Sequence, residues 1–193
     1  MQCFIKTKTS FLNVYSFEKY GELIKKCIEN IKDEFLIKAP NQLYMKTDYK
    51  MRRLGFFSDV SFNYYHYSVL IAKPKPLHPD LAELMKIINA NYGTNYNGVL
   101  VNKYEDGNDC IPDHCDDEKT LDKVGVINIS YGAVRTLRIR DKLTKKIIMD
   151  IPLISNSITH MGGNFQKDFT HEVPVEKDVK GVRYSLSFRT LTE

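Results

Sequence analysis

His114, Cys115 and Asp116 stand side by side in the chain. On a strand, side chains two apart share a face, so the His114 imidazole and the Asp116 carboxylate point inward together. Cys115 points away from them and reads as packing or surface. With one more histidine the pair becomes a two-histidine, one-carboxylate set, the facial arrangement that holds non-haem iron and leaves positions open for reactants. The candidates for that third ligand are His66, His78, His160 and His171. His78 lies between prolines ahead of a helix, with no strand to aim it. His160 sits in an apolar strand beside Met161 and reads as a packed or outward histidine. His171 follows Phe169 and precedes Pro174, which suits a strand end at the mouth of a cup. Chance matches to His-x-Asp are common, so the tripeptide alone is a weak signal.

The second stretch able to do chemistry is RYSLSFR at 183–189, which alternates on a period of two. Arg183, Ser185, Ser187 and Arg189 share one face; Tyr184, Leu186 and Phe188 share the other. If the polar face lines a cup, two guanidiniums line it too. Such groups take carboxylates in a bidentate fork, and a dicarboxylate would occupy both. The plainer alternative is an edge strand with surface arginines.

These residues need elements to aim them. Residues 17–34 read as an amphipathic helix with Ser16 as N-cap, because Tyr20, Leu23, Ile24, Cys27, Ile28 and Ile31 recur at three- and four-residue steps. Residues 41–72 mix Arg52 and Arg53 with Phe56, Phe57, Phe62, Tyr64, Tyr65, His66 and Tyr67. That mixture suits stacked bases and neutralised phosphates, but it equally suits a buried aromatic hairpin, and composition alone favours the hairpin. Lys73-Pro74-Lys75-Pro76 breaks any helix. A second helix starts near Pro79, with Leu81, Leu84, Met85 and Ile88 as its apolar stripe. From Asn97 onward roughly eight short strands alternate with turns, which points to a sandwich, barrel or jelly roll. They lie at 99–104, near Ile111, at 124–130, 134–140, 145–151, 157–161, 169–173 and 183–190.

The length, 193 residues, suits one domain with a core that needs no disulfides. Twenty-eight basic against 24 acidic residues leave a formal net charge of +4, which permits a polyanionic partner without demonstrating one. Cys3, Cys27, Cys110 and Cys115 form no C-x-x-C pair and no zinc spacing, so they read as reduced thiols of an intracellular protein. The first residues, MQCFIKTKTS, lack the pattern of a signal peptide, and no apolar run approaches the roughly 18 residues of a membrane span. A soluble protein of cytoplasm or nucleus is expected, with no membrane partner.

Over roughly residues 50–190 the chain resembles the AlkB family of iron(II)- and 2-oxoglutarate-dependent dioxygenases. The matching pieces occur in family order: LVNKYEDG (100–107), IPDHCDDE (111–118), the segment from Met161-Gly162-Gly163 to His171-Glu172-Val173-Pro174, and RYSLSFR. MRRLGFFSD through YYHYS (51–68) looks like the nucleotide-recognition lid of the branch that repairs nucleic acids. The resemblance implies an α+β, mainly β fold: a double-stranded β-helix (jelly-roll) core with N-terminal buttressing helices and a substrate lid. It implies a single dioxygenase domain over 1–193, with an N-terminal extension at 1–45, the lid at 46–72 and the core at 97–190.

Carried over residue by residue, it implies Fe(II) on His114, Asp116 and His171. Arg183 would pair with the distal carboxylate of 2-oxoglutarate, near Tyr104 and Ser187. Arg189 and Asn102 would lie near its iron-chelating end. Glu118 would contact the target base, and the lid residues Arg52, Phe57 and Tyr67 would stack it and grip its phosphates. That use of the lid reverses the preference for a structural hairpin. Two departures from the family pattern stand out: Ser185 where Asn is frequent, and Phe169 where Trp is frequent.

The implied activity is oxidative dealkylation of N-alkylated bases, such as 1-methyladenine and 3-methylcytosine, in DNA or RNA. Fe(II), 2-oxoglutarate and O2 are consumed or required, and formaldehyde, succinate and CO2 are released, by a monomer acting on a base taken out of its stack. The alternatives are a 2-oxoglutarate-dependent hydroxylase or demethylase of a protein or lipid, and an inactive nucleic-acid-binding module on the same fold.

Overall fold

The computed structural model describes residues 1–39, 50–60, 64–66, 69–116 and 124–190. In chain order the elements are β1 (Gln2–Lys6), β2 (Ser10–Ser16), α1 (Gly21–Glu29), β3 (Ile37–Lys38), β4 (Lys50–Met51), β5 (Arg53–Ser58), β6 (Tyr64–His66), β7 (Val69–Ala72) and β8 (Pro74–Lys75). Then come α2 (Pro79–Tyr92), β9 (Gly98–Tyr104), β10 (Asp109–His114), β11 (Val126–Gly132), β12 (Arg135–Asp141), β13 (Ile147–Leu153), β14 (Ser157–Gly163), α3 (Phe165–Asp168), β15 (Phe169–Val173) and β16 (Arg183–Arg189).

The strands form two main sheets. The larger runs β1-β2-β14-β11-β16-β9-β5-β3, with β8 beside β5; the smaller runs β13-β12-β15-β10-β4. A two-stranded sheet, β6-β7, stands apart. Period-two alternation in the larger sheet separates two environments. Its outward set, including Val99, Val101, Ile127, Ile129, Ile158, Leu186 and Phe188, packs on the helices through Ile24, Cys27, Ile28, Leu81, Leu84 and Ile88. Its inward set, including Leu12, Val126 and Met161, packs on Leu137, Ile139, Ile151, Leu153 and Val173 of the smaller sheet. The layers are therefore helices, large sheet, small sheet, and the inter-sheet space holds the site.

The helices follow from local chemistry. At the start of α2 the His78 Nδ1 accepts from the Asp80 amide at 3.4 Å, and Pro79 occupies the first turn, where its missing N–H costs nothing. Gly93 closes α2 with a left-handed φ of 63° and donates its amide to the Asn89 carbonyl. The N-terminal helix is shorter than the 17–34 expected. A 3-10 turn at Glu18–Tyr20 precedes α1, and another at Asp33–Phe35 follows it. Ser16 is no cap; it ends β2 and pairs with Ser157. Burial pushes the Cys27 thiol up to about 12 and Cys110 to about 11, so both are protonated core groups, and none of the four cysteines is paired.

Two placements differ from the sequence expectation. Residues 2–16, read only as part of an extension, are two strands of the large sheet. Residues 53–58, read as part of a lid, are a strand paired along its length with β9. Of the aromatic residues there, Phe57 packs in the helix-side core against Phe35.

Candidate active site

His114 and His171 are cross-strand partners on β10 and β15, which brings their ring centroids to 4.3 Å. A register irregularity between Ile111 and His114 lets β10 end at His114. Asp116 therefore lies just past the strand rather than on it. Its amide donates to Gln166 Oε1 at 3.0 Å, and Arg189 Nη2 donates to its Oδ1 at 3.0 Å. These two bonds replace the sheet as the device that aims the carboxylate. One ligand atom from each of His114, Asp116 and His171 lies within 4.8 Å of the others, and all three residues are buried. His114 Nε2 is 4.0 Å from Asp116 Oδ1, and His171 Nε2 is 3.9 Å from Oδ2.

Protonation suits a metal. Burial, then the neighbouring His171, push His114 well below its ordinary value, and burial pushes His171 down as well. Both imidazoles are thus neutral near pH 7. His114 Nδ1 lies 2.8 Å from the Pro112 carbonyl. A carbonyl only accepts, so Nδ1 carries the proton and Nε2 keeps its lone pair. Burial acts to raise Asp116, but Arg189 and the two histidines outweigh it and hold the carboxyl well below the usual carboxylate range. Two neutral imidazoles and one carboxylate at a buried cavity wall fit Fe(II) of the two-histidine, one-carboxylate type.

The cavity runs from this triad between the sheets, with a volume of about 760 Å³ counting its open mouth. Arg183, Ser185, Ser187 and Arg189 all line it, so the polar face of 183–189 is the inner one. Asn102 and Tyr104 of β9 line it too. Arg189 stands at the triad end, paired with Asp116; Arg183 stands six residues along β16 at the other end. The Arg183 Nη2 donates to Ser130 Oγ at 3.1 Å, while Nε and Nη1 are buried without a hydrogen-bond partner. The Tyr104 ring lies 5.1 Å away, within cation–π range. Desolvation lowers the Arg183 pKa, yet an arginine stays charged in water-like pH ranges. A buried cation with two unsatisfied donors is the cradle a carboxylate would fill.

The remaining expected residues divide. Arg52 lines the cavity, but it is 4% exposed and donates through Nε to Asn102 Oδ1 at 2.6 Å. A backbone phosphate on the outside would not meet it. Phe57 is not at the cavity: it packs in the outer core against Phe35, on the helix side of the sheet. Glu118 and Tyr67 lie outside the described residues. Two of the rival histidines have other employment, and the side chain of His66 lies outside the described residues. His160 packs edge-on to Phe11 and Tyr92 with Nε2 2.6 Å from the Val124 carbonyl, and His78 caps α2.

Sequence reasoning missed Arg135, the largest fully buried side chain among the described residues. Its Nε donates to Glu176 Oε2 at 2.8 Å, and its Nη atoms donate to the carbonyls of Asp106, Asp109 and Pro174. Its guanidinium sits 5.6 Å from the Tyr104 ring centre. It clamps the loops after β9 and β15, where a Cβ on Gly107 would meet the Glu176 carbonyl at 1.7 Å. Asn128 and Thr159, also on the cavity wall, were missed as well. The alternation Asn128, Ser130 inside INISY was the available signal.

Comparison with known proteins agrees with this geometry. The profile of the 2OG-Fe(II) oxygenase superfamily matches residues 22–189. Alpha-ketoglutarate-dependent dioxygenase alkB homolog 3 of Homo sapiens is 34% identical over 137 residues, covering 66% of this chain and 48% of that protein. DNA oxidative demethylase ALKBH2 of Homo sapiens is 30% identical over 158 residues, covering 78% of this chain and 60% of that protein. The chain thus spans about half the length of the curated relatives it matches. The solved structure of OsALKBH1 superposes with a TM-score of 0.61 at 12% identity, covering 98% of this chain and 100% of that one, a likeness of fold. The chain belongs to the 2OG-Fe(II) oxygenase superfamily, in its AlkB family.

Proposed function

We propose that this chain is a dioxygenase that removes alkyl groups from N-alkylated bases, such as 1-methyladenine and 3-methylcytosine, in DNA or RNA. The observation that carries the reading is one cavity with the His114, Asp116, His171 triad at one end and the half-satisfied Arg183 guanidinium at the other. The two facing sheets are read as a double-stranded β-helix, with residues 1–193 as one dioxygenase domain. His114, Asp116 and His171 would hold Fe(II). Arg183 would bind the distal carboxylate of 2-oxoglutarate, with Tyr104 stacked beside it, and Asn102, Ser187 and Arg189 would line the rest of its path. Bound there, Fe(II) with 2-oxoglutarate and O2 supplies oxidation of a carbon-hydrogen bond, one oxygen atom going to the target carbon and the other to succinate as CO2 leaves. On an N-methyl group the hydroxymethyl product releases formaldehyde and the unmodified base.

The chain's own part is positioning. The Pro112 carbonyl fixes the His114 tautomer, Arg189 holds the Asp116 carboxylate, and Gln166 holds the Asp116 backbone amide. The apolar wall of Leu100, Ile111, Leu137, Leu153 and Val173 limits water in the cavity. The names of the AlkB relatives, one of them a DNA oxidative demethylase, support the nucleic-acid substrate, and such a base must leave its stack to reach a buried site. Among the described residues no helix is long and apolar enough to cross a membrane.

The test is a turnover panel of single-stranded DNA and RNA oligonucleotides carrying 1-methyladenine or 3-methylcytosine. Formaldehyde release is expected only when Fe(II), 2-oxoglutarate and O2 are all present. A metal-loaded protein that decarboxylates 2-oxoglutarate but turns over none of these oligonucleotides would remove the substrate claim.

A further inference from the structure

We infer that Asn128 and Thr159 are cosubstrate-binding residues, which donate an amide and a hydroxyl to the oxo-acid end of 2-oxoglutarate. This rests on the cosubstrate reading of the cavity and adds to it a wall from two further strands, β11 and β14.

Sheet register carries the inference. Strand neighbours across the large sheet form rows that share a face. One inward row is Tyr104 and Arg183. The next is Asn102, Ser185, Ser130 and Ser157. The third is Leu100, Ser187, Asn128 and Thr159. The fourth holds Arg189 opposite Gly98, with Met161 opposite Val126 on the neighbouring strands. Rows on one face repeat every two residues, about 7 Å along a strand. Arg183 leans into the second row, where it donates to Ser130. A dicarboxylate held there by one end reaches the third row with its other end, next to Arg189 and the triad.

The third row is built to donate. Asn128 Oδ1 accepts a short hydrogen bond from Ser187 Oγ, which turns the amide so that its Nδ2 is uncommitted among the described residues while Asn128 lines the cavity. Thr159 is 1% exposed, lines the same cavity and leaves Oγ1 without a partner. Buried hydroxyls are seldom left unsatisfied, because water pairs them in the unfolded chain. Three strands thus present a polar row at one depth of an otherwise apolar cleft, flanked by Leu100 on one side and faced by Leu137 and Leu153. A carboxylate is the ligand that accepts from both an amide and a hydroxyl and is drawn to Arg189.

The test is calorimetric titration of 2-oxoglutarate into the Mn(II)-loaded protein, where no turnover is needed. Thr159→Val keeps the side-chain shape and removes the donor; about a tenfold weaker binding is expected. Asn128→Asp keeps the shape but sets a carboxylate against a carboxylate; about a hundredfold loss is expected. Arg183→Met is the reference, and thermal unfolding of each variant without ligand separates folding from binding. If the wild type itself does not bind 2-oxoglutarate, the cosubstrate reading of the cavity falls. If the wild type binds and Arg183→Met does not, while Thr159→Val and Asn128→Asp bind as the wild type does, only the assignment of Asn128 and Thr159 is overturned. If Asn128→Asp fails to fold, Thr159→Val alone decides.

Discussion

Strands β16 and β5 flank the same neighbour, β9, and both set arginine among aromatic and aliphatic residues. They do opposite things. On β16 every second residue is polar, and Arg183, Ser185, Ser187 and Arg189 all face the cavity. On β5 polarity does not alternate. Arg53 turns outward to the carbonyls of Asp33 and Leu36 at 2.6 and 2.9 Å, Phe57 enters the helix-side core, and Leu54 is the side chain left facing the cavity. The same residue types build a ligand wall in one strand and a packing wall in the other. What differs is the phase of polarity against the pleat, since a strand shows a cavity only the residues of one parity. An inward arginine also has to be answered by an anion inside the cavity, whereas Arg53 is answered outside it, by main-chain oxygens, by the Asp33 carboxylate at 3.5 Å and by partial exposure.

That contrast can be broken by substitution. Changes on the cavity side should remove function at little cost in stability, and changes on the helix side should do the reverse. The largest effect is expected for His171→Ala. Loss of one of three ligands should weaken Mn(II) binding more than ~100-fold, beyond what outer partners of a metal site cost, and abolish turnover. Calorimetric metal titration measures it, and near-normal metal affinity would remove the triad from the site. Next comes Phe57→Ala on the helix side. It should cost about 3–5 kcal/mol in urea unfolding, with activity per folded molecule unchanged. A Phe57→Ala protein that kept its stability and lost oligonucleotide binding would restore Phe57 as a base-stacking residue.

The same contrast explains how much was legible beforehand. His114 and His171 could be picked because both fall on strands that pair, and Asp116 from its place in the AlkB-like segment; strand parity does not aim Asp116, which lies past the end of β10 and is set by Gln166 and Arg189. The polar face of 183–189 could be read because strand parity there agrees with what the fold does. Phe57 was misassigned because aromatic strand residues carry no mark of which side they face until the neighbour β9 is placed. Arg135 was overlooked: in VRTLRIR it shares the parity of Leu137 and Ile139, opposite to Arg138 and Arg140, which marks it as inward, but nothing local shows that loops some 30 to 40 residues away satisfy it. Strands β1 and β2 were missed because β2 is placed by pairing with β14, more than 140 residues on, and β1 joins the sheet through β2, contacts that local pattern does not see.

A smaller effect separates the two arginine strands directly. Arg183→Met should weaken 2-oxoglutarate binding about 100-fold, equivalent to about 2.7 kcal/mol, because it strips a desolvated charge from its partner. Arg53→Met should leave that affinity within about twofold, since its contacts, to main-chain oxygens and the Asp33 carboxylate, lie on the far side of the sheet. Equal losses in the two would mean that β5 reaches the cosubstrate and that parity does not decide the matter.

The smallest effect concerns pH, and it tests the cavity side without any ligand. His114, His171 and His160 all have folded pKa values pushed below the ordinary 6.5 by burial. The unfolded chain therefore takes up protons near 6.5 that the folded chain refuses. Stability is fully present above that value and falls as pH drops through it. Each histidine contributes at most about 1.4 kcal/mol per pH unit, so the metal-free protein should lose about 1–3 kcal/mol between pH 7.5 and 5.5. Asp116, held low by Arg189, adds nothing in this window, because it stays ionised in both states until the pH approaches 4. Urea unfolding of metal-free His171→Asn should show a shallower slope, with the contributions of His114 and His160 remaining. An unchanged slope would trace the pH dependence to groups outside the cavity, and the neutral, metal-ready state of His171 would lose its support.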